Sequence, residues 1–402
     1  MYLTETSKEL SNKLAAVALS LAAVGLLTSI SVLTAAQIFL FLAILTSTSH
    51  FSWSRLPVSS KMLSVLCLVM ALSVLFNFQD FDRPLKAVFK IRYYLIGAFS
   101  IVPLDLFLNQ YLSTEKRAQF LKNLLVVGLV CSIAASLSGL VGYWTGFNPI
   151  LMTHVDAHRS TGTFGLVMTY SHSVAWLSVL LMSLWIHQKQ YSVSFPKGLL
   201  PISILVSVMG LFASHTRGAV LAFLAGCLAI NRKVALFFIS FFIVASLVST
   251  VVNPEFVRTQ IIRSGSNEER LGCWLGALQA FKNRPVLGYG FMNYDKFSVQ
   301  IKKEHELPKP EFQGNAHNDF LELLASTGIL GALAFWGWIL VWWKEVLGKN
   351  KKCQLLLFPF VISFLVSGLT QVTFTTSENL IFLMFTYALS LVLGGKRDDS
   401  SD

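Results

Sequence analysis

Charged residues are scarce in this chain, and acidic ones are fewer than basic ones. Only 13% of its 402 residues are Asp, Glu, Lys or Arg, about half the share of roughly 25% that soluble domains carry. Apolar runs of about 18 residues or more recur along the whole length, and such runs are long enough to cross a bilayer as helices. The scarcity of charge therefore excludes an ordinary soluble domain and predicts an all-α integral membrane protein.

Metal-binding patterns are also scarce. The five cysteines lie at positions 67, 131, 227, 273 and 353 without CxxC spacing, which argues against a zinc site or a disulfide framework. The acids of the polar connections are scattered or paired with lysines, so we expect no carboxylate site for a divalent ion. No metal and no other cofactor is therefore expected. Arginine and histidine side chains remain as the candidates for binding substrate and for catalysis.

Twelve apolar stretches are candidate membrane spans, and they divide the chain into three parts. Residues 1–252 hold spans one to nine, residues 253–318 form a long polar segment, and residues 319–402 hold spans ten to twelve and a short cytoplasmic tail. Four tryptophans near the end of the tenth span, at positions 336, 338, 342 and 343, are expected to form an aromatic belt at the inner interface. The spans lie at about 14–30, 33–48, 61–77, 87–109, 119–142, 164–186, 198–214, 217–231, 234–252, 319–343, 354–373 and 378–394.

The basic residues indicate an orientation. The net charge of +11 fits Lys and Arg on the cytoplasmic side of a membrane and contact with anionic headgroups, so we expect no nucleic-acid partner. With a cytoplasmic N terminus, most basic residues of the short connections fall on the cytoplasmic side. Both termini are therefore predicted to be cytoplasmic, and the long polar segment lies on the opposite side. The exceptions are Arg83, Lys86, Lys90, Arg92, Arg159 and Arg217.

The long polar segment is predicted to contain a helix. Apolar residues recur at helical spacing over 267–283, and Glu268 and Glu269 stand near the helix start, where acidic side chains are favourable. Pro285 should end the helix, and the glycines of PVLGYG should form a turn. A helix with an apolar face outside the membrane must pack on something, so we expect it to cover the outer ends of the spans and roof a cavity.

A polar cluster closes this segment, Asn315, Ala316, His317, Asn318 and Asp319. It leads into the tenth span, which we expect to continue without a break as a helix of membrane length. His317 therefore lies where water-exposed polypeptide meets the membrane. A lone histidine at a helix start is often only a cap or a surface residue, but this position makes it a candidate centre of an active site.

Four segments of the chain resemble one protein family. They are HRSTGTFG (158–165), SHTRGA (214–219), ERLGCWLGALQAFKNRPVLGYGF (269–291) and AHNDFLELLASTGILG (316–331). Together they resemble the O-antigen ligase family, which includes O-antigen polymerases and protein O-oligosaccharyltransferases. The resemblance covers roughly residues 155–395 in detail, and its motifs separate the members of the family poorly.

The resemblance implies a GT-C-like membrane glycosyltransferase of lipopolysaccharide biosynthesis in the bacterial inner membrane. The donor would be a glycan on undecaprenyl diphosphate at the periplasmic face, and the acceptor a sugar hydroxyl of lipid A–core. The family needs no metal for this reaction. By motif position the catalytic residues would be Arg217, Arg270 and His317, and we expect these three side chains to meet in one cavity. Arg159 and His172 lie in a weaker motif and would bind substrate.

These residue types suit the transfer of a glycan from a lipid diphosphate. Guanidinium groups can bind the leaving phosphate oxygens in pairs, and we assign this to Arg217 and Arg270, with Arg159 third. His317 can take the proton of the acceptor hydroxyl near neutral pH, or only position that hydroxyl.

Further candidate substrate-binding residues have structural alternatives. Lys90 and Arg92 can instead reach lipid phosphates, and Asn318 can instead cap the tenth span. Glu322 can face the cavity or orient His317. His172 lies inside the sixth span, where a histidine indicates a site by default, but it can instead form a hydrogen bond between helices.

Two other functions stay open from the sequence. A polymerase would join repeat units on the same carrier and share the donor site, differing only in the acceptor pocket. A lipid-linked oligosaccharide transporter would perform no chemistry. Transporters tend to show internal repeats or paired broken spans, and the sequence shows neither.

Overall fold

We describe a computed structural model of the chain. It describes residues 2–155, 158–191, 195–262, 264–349 and 351–393. The predicted cytoplasmic tail at 394–402 lies outside the described residues. The described chain is almost entirely helical, with one two-stranded antiparallel hairpin in which β1 (Phe147–Asn148) pairs with β2 (Thr153–His154).

Fourteen helices make up the architecture of the described residues. Twelve are apolar, and two, α10 and α11, belong to the polar segment. In chain order they are α1 (Tyr2–Thr28), α2 (Ile30–Thr46), α3 (Val58–Phe76), α4 (Pro84–Tyr111, with a π-helical last turn), α5 (Thr114–Thr145), α6 (Val167–Ile186), α7 (Leu199–Ala213), α8 (Arg217–Ile230), α9 (Arg232–Val252), α10 (Ser264–Asn283), α11 (Tyr294–Glu304), α12 (Asp319–Leu347), α13 (Lys351–Thr370) and α14 (Ser377–Leu393). Shorter helical turns lie between them.

The predicted membrane class is confirmed. Each of the twelve predicted spans coincides with one apolar helix. Within the described residues, eight of these helices are long and apolar enough to cross a bilayer, whereas α2, α7, α8 and α14 are shorter. The chain is therefore a helical, multi-span protein of membrane type, and the count of twelve crossings stays a prediction.

The polar connections gather at one end of the helix bundle, which we call the loop end. Arg284 of the long segment pairs with Asp80 after α3 at 2.6 Å, and His317 contacts Gln371 after α13 at 2.9 Å. The turn before α8 joins them, because Arg217 donates to Asn267 at 2.8 Å. Every candidate arginine or histidine in a connection therefore lies on the same side of the bundle.

The tryptophans of α12 correct one expectation. Trp338 and Trp342 are fully buried, and their rings stack at 5.6 Å with an interplanar angle of 10°. Tyr387 of α14 packs against both rings. The predicted aromatic belt is therefore wrong for these two residues, which form the centre of the helix packing. Trp336, on another face of the same helix, is exposed.

Helix α12 is not continuous, contrary to the expected unbroken span. Gly328 has φ +63° and ψ −162°, so the backbone leaves the helical conformation there. The PVLGYG turn fills the break: Ile329 donates its N–H to the carbonyl of Pro285 at 2.8 Å, and Tyr289 donates to the carbonyl of Ala325 at 2.9 Å. Backbone groups freed by the break thus find partners, as buried polar groups must. The two most specific motifs of the sequence are interlocked.

Gly328→Ala should destabilise the protein. A Cβ at this position would lie 2.3 Å from the carbonyl oxygen of Val286, and the positive φ is unfavourable for any residue with a side chain. We expect the free energy of unfolding to fall by about 2–3 kcal/mol. The measurement is the melting temperature of the detergent-solubilised protein, which should be lower than that of the wild type. Gly128→Ala is the control, because its Cβ would meet only the carbonyl of Ala23 at 3.7 Å. Equal melting temperatures of the two variants would contradict this prediction.

The predicted loop helix is present and packs as expected. Helix α10 covers the predicted 267–283 and ends two residues before Pro285. Its buried Ala277 and Ala280 share a hydrophobic cluster with Tyr294 of α11 and Ala325 of α12. The polar segment is therefore a packed layer on the loop end.

Candidate active site

A cavity of about 790 Å³ opens at the loop end, and we call it the arginine cavity. Three arginines, one histidine and one acid supply its charged and titratable groups. It is lined by Arg159, Met168, Arg258, Thr259, Gly265, Ser266, Glu269, Arg270, Phe312 and His317. Three guanidinium groups against one carboxylate make the cavity suited to an anionic ligand.

Four separate parts of the chain build this cavity. Arg270 and Glu269 come from the first half of α10, and His317 from the segment before α12. Arg159 follows the β-hairpin, and Arg258 lies in the π-helical turn Val257–Ile262. Arg258 is exposed and pairs with Glu255 at 3.3 Å. The cavity therefore exists only when the polar segment is folded onto the bundle.

His317 is held from several sides. Its backbone has φ +46°, and its N–H donates to Oδ1 of Asn315 at 2.9 Å. The ring Nδ1 lies 2.9 Å from Oε1 of Gln371, and the ring of Phe312 lies at 6.3 Å. A non-glycine residue in this conformation is uncommon and persists where its surroundings fix it.

Burial lowers the pKa of His317 below its ordinary value, and the nearby Arg270 lowers it further. The hydrogen bond to Gln371 and the charge of Glu269 oppose this shift. The net effect keeps the imidazole neutral near neutral pH. A neutral imidazole has one nitrogen able to accept a proton, as a general base requires.

Asn318 and Glu322 hold the backbone around His317 through hydrogen bonds. Oδ1 of Asn318 accepts the N–H groups of Phe320 and Leu321, which makes it the N-cap of α12. Oε2 of Glu322 accepts the N–H of Ala316 at 2.9 Å. Both residues were candidates for binding substrate. The structure instead engages them in holding the backbone on either side of His317, and neither is among the described lining residues of the arginine cavity.

His172, Lys90 and Arg92 are not brought to the arginine cavity among the described lining residues. His172 is buried, and its Nδ1 lies 3.0 Å from the hydroxyl of Ser367, so the interhelical hydrogen bond is the alternative that the structure favours. Lys90 donates to the hydroxyl of Ser377. Arg92 lies over the ring of Tyr93 at 4.4 Å.

Arg217 lines a neighbouring apolar groove of about 340 Å³. The groove lies between α5, α7, α8 and α9, and its polar members are Tyr143, His215, Arg217 and Ser246. It is lined by Leu140, Tyr143, Trp144, Met209, Phe212, Ala213, His215, Arg217, Val220, Phe241, Phe242, Ala245 and Ser246. The three predicted catalytic residues therefore do not share one cavity: Arg270 and His317 do, and Arg217 stands in the adjoining groove.

Short polar contacts connect the groove with the arginine cavity. Arg217 donates to Asn267 of α10 at 2.8 Å, three residues before Arg270 and so on a neighbouring part of the same helical face. Arg159 donates through Nε to the carbonyl of Ser214 at 3.2 Å, in the turn that carries Arg217. The two sites are therefore adjacent and share the turn before α8.

The acids of the loop end include one pair with the DxD spacing that metal-dependent transferases use, Asp80-Phe81-Asp82, which the expectation of scattered acids overlooked. Asp80 pairs with Arg284 at 2.6 Å, and Asp82 pairs with Lys296 at 2.6 Å. These ion pairs fasten the polar segment to the connection after α3. Within the described residues, no group of three or more His, Cys, Asp or Glu side chains is placed to hold a metal ion.

Sequence reasoning missed Arg258, Glu269 and Gln371 as members or neighbours of the cavity. Glu269 was interpreted only as a helix-start acid. Arg258 lies in an irregular turn, where no periodicity indicates a direction. Gln371 is an uncharged residue after an apolar helix, and nothing in its local sequence distinguishes it.

The model of the O-antigen ligase family matches residues 202–336. The chain carries an O-antigen ligase family domain. The resemblance predicted from the four motifs is thereby confirmed. This O-antigen ligase domain contains Arg217, Arg258, Arg270 and His317, and it also contains the break at Gly328. Arg159 and Gln371 lie outside the matched stretch.

One curated relative is an uncharacterized protein of Haemophilus influenzae. It is 27% identical over 121 residues, which are 26% of this chain and 30% of that protein. The chain therefore matches less than a third of this relative's length. The description of this relative names no activity.

Proposed function

We propose that this chain is an O-antigen ligase of the GT-C type. It would transfer a preassembled glycan from undecaprenyl diphosphate to a sugar hydroxyl of lipid A–core, without a metal. The observation that carries this proposal is the arginine cavity, where Arg159, Arg258 and Arg270 stand with His317 at the end of a membrane helix bundle. Cations that meet a leaving diphosphate and a neutral base beside them are what this substitution needs.

The apolar groove beside the cavity supports a lipid-linked donor. Its walls are mostly aromatic and aliphatic, and Arg217 and His215 stand at the turn that leads to the arginine cavity. A polyprenyl chain in the groove would bring its diphosphate to Arg217. The diphosphate would then lie between Arg217 and Arg270, at the entrance of the arginine cavity, and the glycan would extend past it towards His317. Arg217 in the groove therefore suits donor binding, whereas Arg270 and His317 suit the reacting centre.

In the proposed reaction, the acceptor hydroxyl oxygen forms a bond to the anomeric carbon of the donor glycan. The bond between that carbon and the diphosphate oxygen breaks, and undecaprenyl diphosphate leaves with the bonding electrons. The hydroxyl proton passes to Nε2 of His317. Arg270 and Arg217 stabilise the negative charge that grows on the leaving group.

The proposed location is the bacterial inner membrane, with the loop end in the periplasm. The distribution of Lys and Arg supports this orientation. The end opposite the loop end carries Lys344, Lys349, Lys351 and Lys352 around the start of α13. A cysteine introduced in the polar segment, at Gln300 for example, should react with a membrane-impermeant thiol reagent in intact spheroplasts. Labelling only after lysis would contradict the orientation.

A reconstituted transfer assay tests the function. Purified protein is mixed with an undecaprenyl-diphosphate-linked glycan and lipid A–core, with EDTA present. Glycan appearing on the core is the expected product. Growth of the glycan on the lipid carrier would instead identify a polymerase. Folded protein that forms neither product, with or without added Mg²⁺, would contradict a transferase and favour a transporter. A product that forms only with Mg²⁺ would contradict the metal independence.

A further inference from the structure

Gln371 is the polar side chain in closest contact with the ring of His317, and its position is set by the framework. It directly follows α13, and its N–H continues the last turn by donating to Ser367 at 3.0 Å. Just beyond it, Thr373 and Phe374 donate to the carboxylate of Asp319 at 2.7 and 2.8 Å. The chain after α13 is thereby fastened to the first residue of α12, two residues from His317.

A further hydrogen bond joins the two helix ends on the other side. The side-chain amide of Asn318 donates to the carbonyl of Leu369 at 3.1 Å. The contacts of Asn318 and Asp319 thus reach both sides of Gln371 along the chain, at Leu369 before it and at Thr373 and Phe374 after it. The packing of α12 against α13 therefore holds the two backbones close together, with Nδ1 of His317 2.9 Å from Oε1 of Gln371.

The direction of this hydrogen bond decides which ring nitrogen can act as a base. An amide oxygen only accepts, so the nitrogen that faces it must carry the proton. A neutral imidazole has one N–H, and placing it on Nδ1 leaves Nε2 with its lone pair. Among the described residues, Nε2 of His317 has no hydrogen-bond partner, and the residue lines the arginine cavity.

We propose that Gln371 is a positioning residue of this site: its side-chain oxygen accepts the Nδ1 proton of His317 and so presents Nε2 to the acceptor hydroxyl. This inference rests on the proposed function, because it assigns His317 the role of base. Gln371 itself touches no reacting atom. The O-antigen ligase domain match ends before it, at residue 336.

A neutral partner suits a base in a cationic cavity. The charged groups that face His317 are Arg270 and Glu269 from α10, Arg159 from the connection before α6 and Arg258 from the π-helical turn. In the adjoining helix α12, the carboxylates of Asp319 and Glu322 accept the N–H groups of Phe374 and Ala316. A carboxylate at position 371 would stabilise the imidazolium and hold the ring protonated at higher pH. Glutamine also raises the pKa of the ring, but as a neutral acceptor it does so less than a carboxylate would, and burial and Arg270 still keep that pKa below its ordinary value.

Gln371→Glu is the decisive variant, because it keeps the size and the accepting oxygen while it adds a negative charge. We expect the acid limb of the pH–rate profile to move upward by about one pH unit or more, with activity recovered above that limb. Gln371→Leu removes the acceptor, so the ring divides between two tautomers. We expect kcat to fall about tenfold to a hundredfold with little change in the KM of the donor.

Gln279→Glu is the matched control, since Gln279 lies on α10 with Asn283 as its partner and is not among the described lining residues of the cavity. It should leave the acid limb in place. If Gln371→Glu also leaves the limb in place while His317→Gln is inactive, the inference is wrong and the proposed function stands. If His317→Gln is fully active, the base assignment itself fails.

Nitrogen-15 NMR of histidine-labelled wild-type protein tests the tautomer without any change to Gln371. The resonances of His317 are those absent from His317→Gln. At neutral pH we expect a protonated Nδ1 and an unprotonated Nε2. The reverse tautomer would overturn the inference even where a Gln371 variant fails to fold.

Discussion

Replacing His317 with glutamine should lower the rate of glycan transfer by about two to four orders of magnitude, the usual contribution of a general base. Glutamine keeps a polar side chain of similar reach but accepts no proton at any working pH. Donor affinity should change little, because the proposed diphosphate contacts come from the arginines. The loss should therefore appear in kcat, measured with saturating lipid-linked glycan.

The pH profile of the wild-type protein gives an independent check on this role. The base form of His317 is the neutral one, and burial lowers the pKa of the ring. The neutral form therefore persists to lower pH than for an ordinary histidine, and activity should fall only below a pH of about 6.5. An acid limb well above that value would contradict the assignment of this residue as the base.

His305→Gln is the matched control for the kinetic measurement. His305 is exposed at the end of α11 and belongs to the same polar segment. Its replacement should leave the rate within a factor of about two, as expected for a surface change. Activity of His317→Gln equal to that of this control would remove His317 from the mechanism.

Local sequence was sufficient to place most helices of this fold. A helix such as α13 is visible because a long apolar run can satisfy its backbone within itself wherever it packs. The loop helix α10 was also predictable, since its apolar residues recur at helical spacing and Pro285 lies just after its end. Its start was not, because α10 begins at Ser264 with no acid in its first turn, so Glu268 and Glu269 do not mark it. The break at Gly328 was not, because its apolar surroundings look continuous. Only the distant Pro285 and Tyr289 supply the hydrogen bonds that stabilise it.

The residues of the candidate site also fall into two groups, those that the sequence indicated and those that only the structure shows. Arg270 and His317 were found through the resemblance, and a lone histidine or arginine would not have been singled out by spacing. Gln371 and Arg258 reach the site only through tertiary packing. For Arg217 the prediction was wrong in another way. Its motif occurs together with those of Arg270 and His317 in the family, and we therefore expected all three residues to line one cavity. The guanidinium of Arg217 instead turns to Asn267 and the apolar groove.

Arg270→Ala should reduce transfer by about a hundredfold to a thousandfold, the range for removing one group that stabilises charge in a transition state. A second effect should accompany it. The positive charge of Arg270 lowers the pKa of His317, so its removal should raise that pKa and move the acid limb to higher pH. A residue that only supported the fold would lower the rate at every pH without moving the limb.

Arg270→Lys separates the two effects of the guanidinium. Lysine keeps the positive charge and should leave the acid limb near its wild-type position, but it cannot bind two phosphate oxygens with a planar fork, so the rate should stay low. Lys282→Ala is the matched control: Lys282 is an exposed cation in the last turn of the same helix, and its loss should change neither quantity. If Arg270→Ala behaves like this control, the arginine cavity is not where the diphosphate leaves, and Arg217 in the apolar groove becomes the residue to which the leaving group must be assigned.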